Sequence, residues 1–174
     1  MELYAEQGFE QTTVAEIAAR AGLTERTFFR HFADKREVLF YGMERLRDLL
    51  TRAVAGAPAA ATAMDAASAA FQAAGAMLQE NPERVRLRDA IVSANAELQE
   101  RELIKLAALA AAVAGALRDR GIPEPGASLA AETGVAVFKV AFARWVSDPG
   151  QRDLPGVFRE SMAELRGVVG GPVG

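Results

Sequence analysis

Four side chains between residues 26 and 30 are of types that contact nucleic acid directly. At 3.6 residues per turn, Phe28 and Phe32 share one side of a helix, and we expect that side to be buried together with Leu23. The opposite side then presents the residues Arg26, Thr27, Phe29 and Arg30, with His31 at its end. Guanidinium groups can pair with guanine, and a hydroxyl or an aromatic ring can contact a thymine methyl. The pattern suits a DNA major groove, although two arginines on a helix also form an ordinary solvated face.

Start and stop signals around this segment predict the elements that position it. Thr13 and Glu16 have the spacing of a capping box, which predicts a helix over 13–20 that ends at Gly22. Thr24 then caps the helix 24–31, and Asp34 with Glu37 marks a third start. Three short helices joined by turns of a few residues form a helix-turn-helix pattern.

The whole chain of 174 residues has the composition of an all-α protein, rich in alanine and poor in β-branched residues. Prolines punctuate it, and the stretches between them predict about nine helices. These lie at 1–7, 13–20, 24–31, 35–55, 62–80, 83–93, 97–120, 127–147 and 154–168. Helices before residue 50 are short and the later ones are long, which predicts a small N-terminal module followed by a larger C-terminal helical bundle.

Composition argues against several classes of chemistry. The chain has no cysteine and a single histidine, so thiolate nucleophiles, disulfides and His-rich metal sites are not expected. No phosphate-cradling glycine loop between a strand and a helix is present in the sequence, and no apolar run approaches the ~20 residues of a membrane span. We therefore expect neither an enzyme nor a cofactor nor a metal, and no membrane. The remaining alternatives are a DNA-binding regulator and a helical interaction protein.

Residues 4–41 resemble the DNA-binding domain of the TetR family of bacterial transcription regulators. The matching pieces are Gly8-Phe9, Thr12-Thr13, Ile17-Ala18, Ala21-Gly22-Leu23-Thr24, Thr27-Phe28-Phe29, His31-Phe32 and Lys35. The resemblance implies a helix-turn-helix DNA-binding domain over 1–41 and a ligand-binding and dimerisation domain over 42–174. It also implies a cytoplasmic repressor that binds a palindromic operator in double-stranded DNA as a homodimer and is released by an apolar small-molecule effector. Family members have a fuller first helix, so we expect the native protein to be longer.

The resemblance assigns DNA contacts by position. Phosphate contacts are implied for Thr12, Thr13, Thr24, His31 and Lys35, and base contacts for Glu25, Arg26, Thr27, Phe29 and Arg30. Phe29 replaces the family's usual tyrosine, so the phenol that would donate to a phosphate is absent, while stacking or methyl contact remains open. Glu25 could accept from a cytosine amino group or simply favour the helix N-terminus. His31 could instead be a partly buried core residue.

The two last helices predict the dimer interface. The helix 127–147 is apolar almost all round, so one side can face the core while the other needs a partner. The helix 154–168 has one apolar stripe, and the two pairs could form a four-helix interface about a two-fold axis. The resemblance implies the same helices. Candidate interface residues are Leu129, Val137, Val140, Ala141, Leu154, Phe158, Met162 and Leu165.

An effector pocket is implied by the resemblance, and the sequence offers only candidates for its lining. These are Met64, Phe71, Met77, Arg88, Asn95, Phe138, Phe142 and Trp145, of which most could equally be core residues. Residues 84–120 and the helix of Trp145 are similar to a subgroup of actinobacterial regulators, some of which sense acyl thioesters. Short alanine side chains there either allow close helix packing or leave room for an apolar ligand.

Net charge alone argues against a nucleic-acid partner, because the chain carries −3. The distribution changes that conclusion. Between Arg20 and Arg36 the chain has five basic and two acidic residues, a local balance of +3, while Glu2, Glu6 and Glu10 concentrate near the start. An acidic chain can thus present a basic face to phosphate.

Overall fold

The computed structural model describes residues 1–148 and 152–170, and all regular structure in these ranges is helical. Ten helices follow one another within the described ranges. They are α1 (Glu2–Gln7), α2 (Val14–Arg20), α3 (Glu25–His31), α4 (Glu37–Phe40), α5 (Met43–Ala55), α6 (Ala63–Gln79), α7 (Pro82–Ser93), α8 (Ala96–Asp119), α9 (Gly126–Ser147) and α10 (Leu154–Val169). The prediction of an all-α chain is confirmed.

The predicted starts of the short helices are confirmed, whereas the single predicted helix over 35–55 is wrong. Thr13 and Glu16 form the reciprocal capping box of α2, and the Thr24 side chain accepts the backbone N–H of Thr27. The segment 35–55 is divided into the single turn α4 and the longer α5. Two features favour the break: Gly42 has low helix propensity, and the Leu39 carbonyl accepts a hydrogen bond of 2.9 Å from Arg88 Nε.

The chain divides into two compact units, and the first of them also includes residues 81–104. The first unit comprises Met1–Glu44 and Asn81–Ile104, and the second comprises Arg45–Glu80 and the chain from Lys105 onward. Residues 81–104 were predicted to belong to the larger domain. Their grouping with the N-terminal residues has a local cause, the buried apolar contacts and ion pairs described next.

The core of the first unit joins α1 and α4 to α7 and the start of α8. Its buried side chains are Tyr4, Phe9, Leu39, Phe40, Ile91, Val92 and Leu98. Arg88 lies at the edge of this core, where its guanidinium stacks over the Phe40 ring at 5.0 Å and its Nη1 donates to Glu102 at 2.6 Å. Burial of these apolar surfaces supplies most of the stabilisation of such a small unit.

A group of ion pairs, here called the Asp34 cluster, reinforces the first unit. It consists of Asp34, Arg36, Glu37, Glu97 and Arg101. Arg101 Nη1 donates to Glu37 at 2.6 Å and to Asp34 at 3.2 Å, and Arg36 pairs with both Asp34 and Glu97. Because Arg101 and Glu97 lie on α8, the cluster ties that helix to the segment just after α3.

In the second unit, α6, α9 and α10 pack on one another around three phenylalanines. The Phe71 ring centroid lies 5.6 Å from that of Phe138 and 6.2 Å from that of Phe158. Gly134 permits this approach, since a Cβ placed there would fall 2.4 Å from the Phe71 ring. The alanine-rich sequence of α6 therefore serves close packing, with Ala67 and Ala70 fully buried.

Helix α9 is, by length and composition alone, apolar enough to cross a membrane. That differs from the expectation that no segment approaches such a span. Its buried side chains, which include Phe138 and Trp145, pack within the second unit, so in this structure its apolar character serves the core.

Candidate nucleic-acid interface

The turn between α2 and α3 fixes the start of the candidate DNA-contacting helix. Gly22 adopts a φ of +68°, in the left-handed region where glycine is favoured. The backbone N–H of Leu23 donates to Ala18 at 2.8 Å and that of Gly22 donates to Ala19 at 3.0 Å, which is the hydrogen-bond pattern of a Schellman motif. Thr24 then caps α3, so three consecutive residues set the angle between the two helices.

Helix α3 buries Phe28 and exposes the opposite face as predicted, but Leu23, which was expected to be buried with Phe28, is 45% exposed. Phe28 is 2% exposed, and its ring centroid lies 5.1 Å from that of Phe32. On the opposite side Arg26, Phe29 and Arg30 are all exposed. Phe29 is 54% exposed and meets Phe28 edge-on at 5.5 Å with an interplanar angle of 89°. The outer surface of α3 thus presents two guanidiniums and one aromatic ring that contacts the buried Phe28 edge-on.

Ion pairs compensate two of the arginines of this module, while α3 carries the exposed Arg26 and Arg30 together with the exposed Glu25. Arg20 pairs with Glu2 and Glu6, and Arg36 belongs to the Asp34 cluster, so both are compensated locally. Within the described ranges, 1–148 and 152–170, Arg26 and Arg30 have neither an ion pair nor a side-chain hydrogen bond. Two guanidiniums with unused donors on one helix face can bind phosphate or a guanine edge. The local charge balance of +3 therefore overstates the positive charge that is available on the surface. Two of the arginines that it counts, Arg26 and Arg30, are nevertheless exposed on α3.

The remaining polar residues predicted to contact DNA differ in the exposure of their side chains and in the hydrogen bonds that they already form. Thr13, Thr24, Glu25 and His31 are exposed, and Thr27 is half-buried, with its hydroxyl 3.1 Å from that of Thr24. The exposure of His31 excludes the alternative that it is a core residue here. Thr13 is already engaged with Glu16, and Thr24 with the α3 backbone, so each could offer a phosphate only its remaining hydrogen-bonding capacity.

Thr12 and Lys35 are not positioned to contact a phosphate, because the polar groups of both side chains donate to backbone carbonyls. Thr12 is 1% exposed, and its hydroxyl donates to the Gly8 carbonyl at 2.7 Å. Lys35 Nζ donates to the carbonyls of Phe9, Glu10 and Thr12 at 2.8, 3.1 and 3.0 Å, and lies 4.5 Å from the Phe9 ring centroid. An ammonium has only three N–H donors, so Lys35 has none left for phosphate in this conformation. Both residues hold the loop between α1 and α2.

The predicted effector-pocket residues are divided between the two units. Arg88 and Asn95 belong to the first unit, where Arg88 is engaged as described above and Asn95 Nδ2 donates to the Ile91 carbonyl at 2.6 Å. The other six lie in the second unit. Phe71, Phe138 and Trp145 are buried in its core, whereas Met64, Met77 and Phe142 are half-buried.

Two open clefts occur in the second unit, and none of the predicted pocket residues lines either. One, of about 450 Å³, is lined by Thr51, Arg52, Ala55, Ala116, Asp119 and Arg120. The other, of about 310 Å³, is lined by Asp65, Ser68, Gln72, Phe158, Arg159, Met162 and Arg166. The effector pocket therefore stays a prediction.

Five of the predicted dimer residues lie inside the protomer, because α9 and α10 use their most apolar positions to pack on α6. These are Val137, Ala141, Leu154, Phe158 and Met162, each 8% exposed or less. Leu129 and Val140 are 63% and 54% exposed, and Leu165 is half-buried. Of the eight predicted interface residues, only these three have exposed side-chain surface that a second copy could cover.

Sequence reasoning missed the ion pairs through which Arg88 and Arg101 brace the first unit. The arginine and acidic residues along 83–102 were a signal of ion pairing, but they do not identify the partners: Arg88 pairs with Glu102 in the same segment, whereas Arg101 pairs with the distant Asp34 and Glu37.

Comparisons with known proteins agree with this arrangement. The family model described as bacterial regulatory proteins, tetR family, matches residues 1–41. The HTH-type transcriptional regulator TcmR of Streptomyces glaucescens is 40% identical over 73 residues, which are 42% of this chain and 32% of that protein. This chain therefore matches about a third of the length of that relative.

Two crystal structures from Thermus thermophilus are similar in fold. The TetR family transcriptional regulator PfmR aligns with a TM-score of 0.53 and 22% identity over 96% of this chain and 94% of its own. FadR, a TetR family transcriptional repressor crystallised with lauroyl-CoA, aligns with a TM-score of 0.60 and 22% identity over 95% and 88% of the two chains. The helix-turn-helix geometry and the matched N-terminal segment lead to one conclusion: residues 1–41 form a domain of the tetR family of bacterial regulatory proteins, on a chain whose fold is similar to that of the two solved regulators.

Proposed function

We propose that the protein is a ligand-responsive transcriptional repressor that binds a palindromic DNA operator as a homodimer and releases it when a small apolar effector binds. The observation that supports this most strongly is the outer face of α3. Arg26 and Arg30 leave their guanidinium donors unused there, beside an exposed aromatic ring. Guanidinium donors and an aromatic ring on one helix face are groups that can contact base edges in a DNA major groove.

Base contact follows from the chemistry of that face. Each guanidinium can donate two parallel hydrogen bonds to O6 and N7 of guanine in the major groove, an arrangement worth about 1–3 kcal/mol of discrimination. Thr13 and Thr24 can add phosphate contacts through their hydroxyls, and His31 can donate from its ring. Thr12 and Lys35 support DNA binding indirectly, by holding the α1–α2 loop on which the module is built.

A homodimer matches the apolar surface that α9 leaves uncovered. Leu129 and Val140 are exposed, and the smaller Ala136 and Ala143 are exposed on the same helix. A two-fold symmetric dimer that binds successive major grooves, which are about 34 Å apart, requires an operator with inverted half-sites.

The effector is proposed as a small molecule with an apolar portion, and the protein acts in the cytoplasm, where the DNA is. Lauroyl-CoA, which FadR holds in its crystal structure, is a rational first probe, because residues 84–120 resemble regulators of which some sense acyl thioesters. Coenzyme A without the acyl chain is the matched control. Release of bound DNA by lauroyl-CoA and not by coenzyme A would assign the response to the acyl chain.

The test of DNA binding is selection from a random duplex pool followed by fluorescence anisotropy. The expected result is enrichment of an inverted repeat whose affinity exceeds that of scrambled DNA at every salt concentration. The logarithm of the affinity should fall linearly with the logarithm of the salt concentration, in proportion to the number of phosphate contacts. Failure to enrich any sequence, with equal binding to scrambled DNA, would overturn the proposal.

A further inference from the structure

The smaller of the two clefts in the second unit, of about 310 Å³, lies between α6 and α10 and is lined by one row of side chains from each helix. The rows are Asp65, Ser68 and Gln72 on α6 and Arg159, Met162 and Arg166 on α10. Residues three or four apart on a helix are surface neighbours, so each row is continuous. The volume is at the lower end of the range for ligand pockets, which limits an occupant to a small molecule.

The two arginines of this cleft carry positive charge that no acidic side chain pairs with in the part of the chain that the structure describes. Arg159 and Arg166 are exposed and form neither an ion pair nor a side-chain hydrogen bond there. Their acidic neighbours on α10, Glu160 and Glu164, pair instead with Arg144 of α9, at 3.7 and 2.9 Å. Both guanidiniums therefore keep donors in the planar arrangement that suits a carboxylate.

Asp65 is the one acidic residue among those that line the cleft, and its carboxylate is already engaged. It accepts the backbone N–H of Thr62 at 3.2 Å and the Thr62 hydroxyl at 2.7 Å, in the capping box of α6. The lining thus carries two positive charges and one negative charge. This balance of +1 complements a ligand with a single negative charge.

Two polar side chains of α6 add hydrogen-bonding groups beside the guanidiniums. Ser68 Oγ is buried and has no hydrogen-bond partner among the described residues, which costs free energy. A change of its χ1 rotamer turns the hydroxyl into the cleft, where it can donate to an acceptor. Gln72 Nε2 donates to the Ser68 carbonyl at 3.3 Å, which leaves the amide oxygen of Gln72 as an acceptor.

We propose that the cleft between α6 and α10 is a binding site for a small organic molecule with one carboxylate group. Arg159 binds the carboxylate through two parallel N–H donors, Arg166 adds electrostatic attraction and Ser68 donates a further hydrogen bond. The site differs from the proposed effector pocket in its residues and in its charge. It involves no residue of α3 or α9, so it depends on neither DNA binding nor the proposed dimer face.

Pairs of probes that differ in charge but hardly in shape test the proposal. Benzoate is compared with benzamide, and butyrate with butyramide, by titration of the full chain at constant ionic strength and pH 7. Two-dimensional NMR spectra of ¹⁵N-labelled protein, including the arginine Nε–H signals, locate the binding site. We expect saturable shifts at the six residues of the two rows, with each carboxylate binding at least tenfold more tightly than its amide.

Three variants assign the affinity to individual side chains. Arg159→Gln should weaken carboxylate binding about tenfold, a ratio that corresponds to about 1.4 kcal/mol, and leave amide binding unchanged. Ser68→Ala keeps the charge of the cleft and should weaken carboxylate binding about threefold. Arg45→Gln is the matched control, because it removes the same charge from an exposed position on α5 that lines neither cleft. Unfolding midpoints of all three should stay close to that of the wild type.

The outcomes either support the site or overturn it. Saturable binding that prefers the carboxylate and is weakened by Arg159→Gln but not by Arg45→Gln supports it. Shifts that rise without saturation and spread over the exposed arginines would mean non-specific association of anions, and the proposal would then be wrong. Equal affinity for carboxylate and amide, or carboxylate binding that is unchanged in Arg159→Gln, would overturn it as well.

Discussion

The hydroxyl of Tyr4 on α1 donates a hydrogen bond of 2.5 Å to the backbone carbonyl of Lys35. The side chain of that same lysine donates back to the loop following α1, at Phe9, Glu10 and Thr12. Residue 35 is therefore fastened to the N-terminal segment through both its backbone and its side chain. The base of the helix-turn-helix depends on this pair of reciprocal contacts.

Removing the Tyr4 hydroxyl should destabilise the protein and alter its response to high pH. Tyr4→Phe leaves the Lys35 carbonyl without that donor, and we expect a loss of about 1 kcal/mol in the free energy of unfolding. Burial and the nearby Asp34 charge raise the pKa of Tyr4 above its ordinary value of 10.0. The wild type therefore loses stability as pH rises above about 10, because ionisation is easier in the unfolded chain.

Urea unfolding at pH 7 and pH 10.5 checks both parts, and Tyr41→Phe is the control, since Tyr41 is 71% exposed. The stability difference between wild type and Tyr4→Phe should shrink at pH 10.5. Equal stability of Tyr4→Phe and wild type at pH 7 would show that the hydrogen bond contributes nothing to the free energy of unfolding.

Lys35→Met should lower stability without removing a phosphate contact. The substitution leaves three backbone carbonyls without their charged donor, so we expect a loss of about 2 kcal/mol. The salt dependence of operator affinity, measured where the variant remains folded, should have an unchanged slope. A slope reduced by about 1 would instead show that Lys35 neutralises a phosphate in the complex.

Local patterns in the sequence sufficed for the helix-turn-helix and for the exposed face of α3. The Thr13 capping box, Gly22 and the spacing of Phe28 and Phe32 are all local signals, and each predicted structure within a few residues. The contacts of Lys35 and Arg101 could not be predicted from the sequence, because their partners lie more than 20 residues away and many acceptors were available. The same reasoning failed on α9 and α10, where hydrophobic periodicity shows that a face is buried but does not show whether the covering surface is α6 or a second chain.

Arg30→Ala should weaken binding to the selected operator by about 1–3 kcal/mol and relax the preference for one base pair, if the guanidinium contacts guanine. Arg52→Ala removes the same charge from an exposed position on α5 and should change the affinity far less. Anisotropy titrations against the operator and its single-base variants make the comparison. A loss of equal size on every sequence would make Arg30 a phosphate contact.

The Asp34 cluster should make stability depend on pH in the acid range. Burial disfavours the charged form of Asp34, but the backbone N–H of Glu37 and the guanidiniums of Arg101 and Arg36 outweigh it and lower the pKa below 3.8. Ionised Asp34 thus contributes stability at neutral pH, and this contribution is lost as pH falls below about 4.

Asp34→Asn should cost about 1–2 kcal/mol at pH 7, a figure reduced for the partial exposure of the cluster, and much less at pH 3. Denaturant unfolding across pH 3–7 gives the difference, and Asp119→Asn, at an exposed position on α8, is the matched control. A difference that persists unchanged to pH 3 would mean that the side chain acts through hydrogen bonds alone and not through its charge.

Substitutions on the uncovered face of α9 test the proposed homodimer. Leu129→Asp with Val140→Asp places two charges on the exposed apolar positions, and burying them unpaired against a second copy would cost several kcal/mol. Sedimentation should therefore show a dimer for the wild type and a monomer of unchanged helix content for the double variant. Ile104→Asp, which changes a 64% exposed residue on α8, should stay dimeric and serves as the control. A double variant that remains dimeric would place the interface elsewhere.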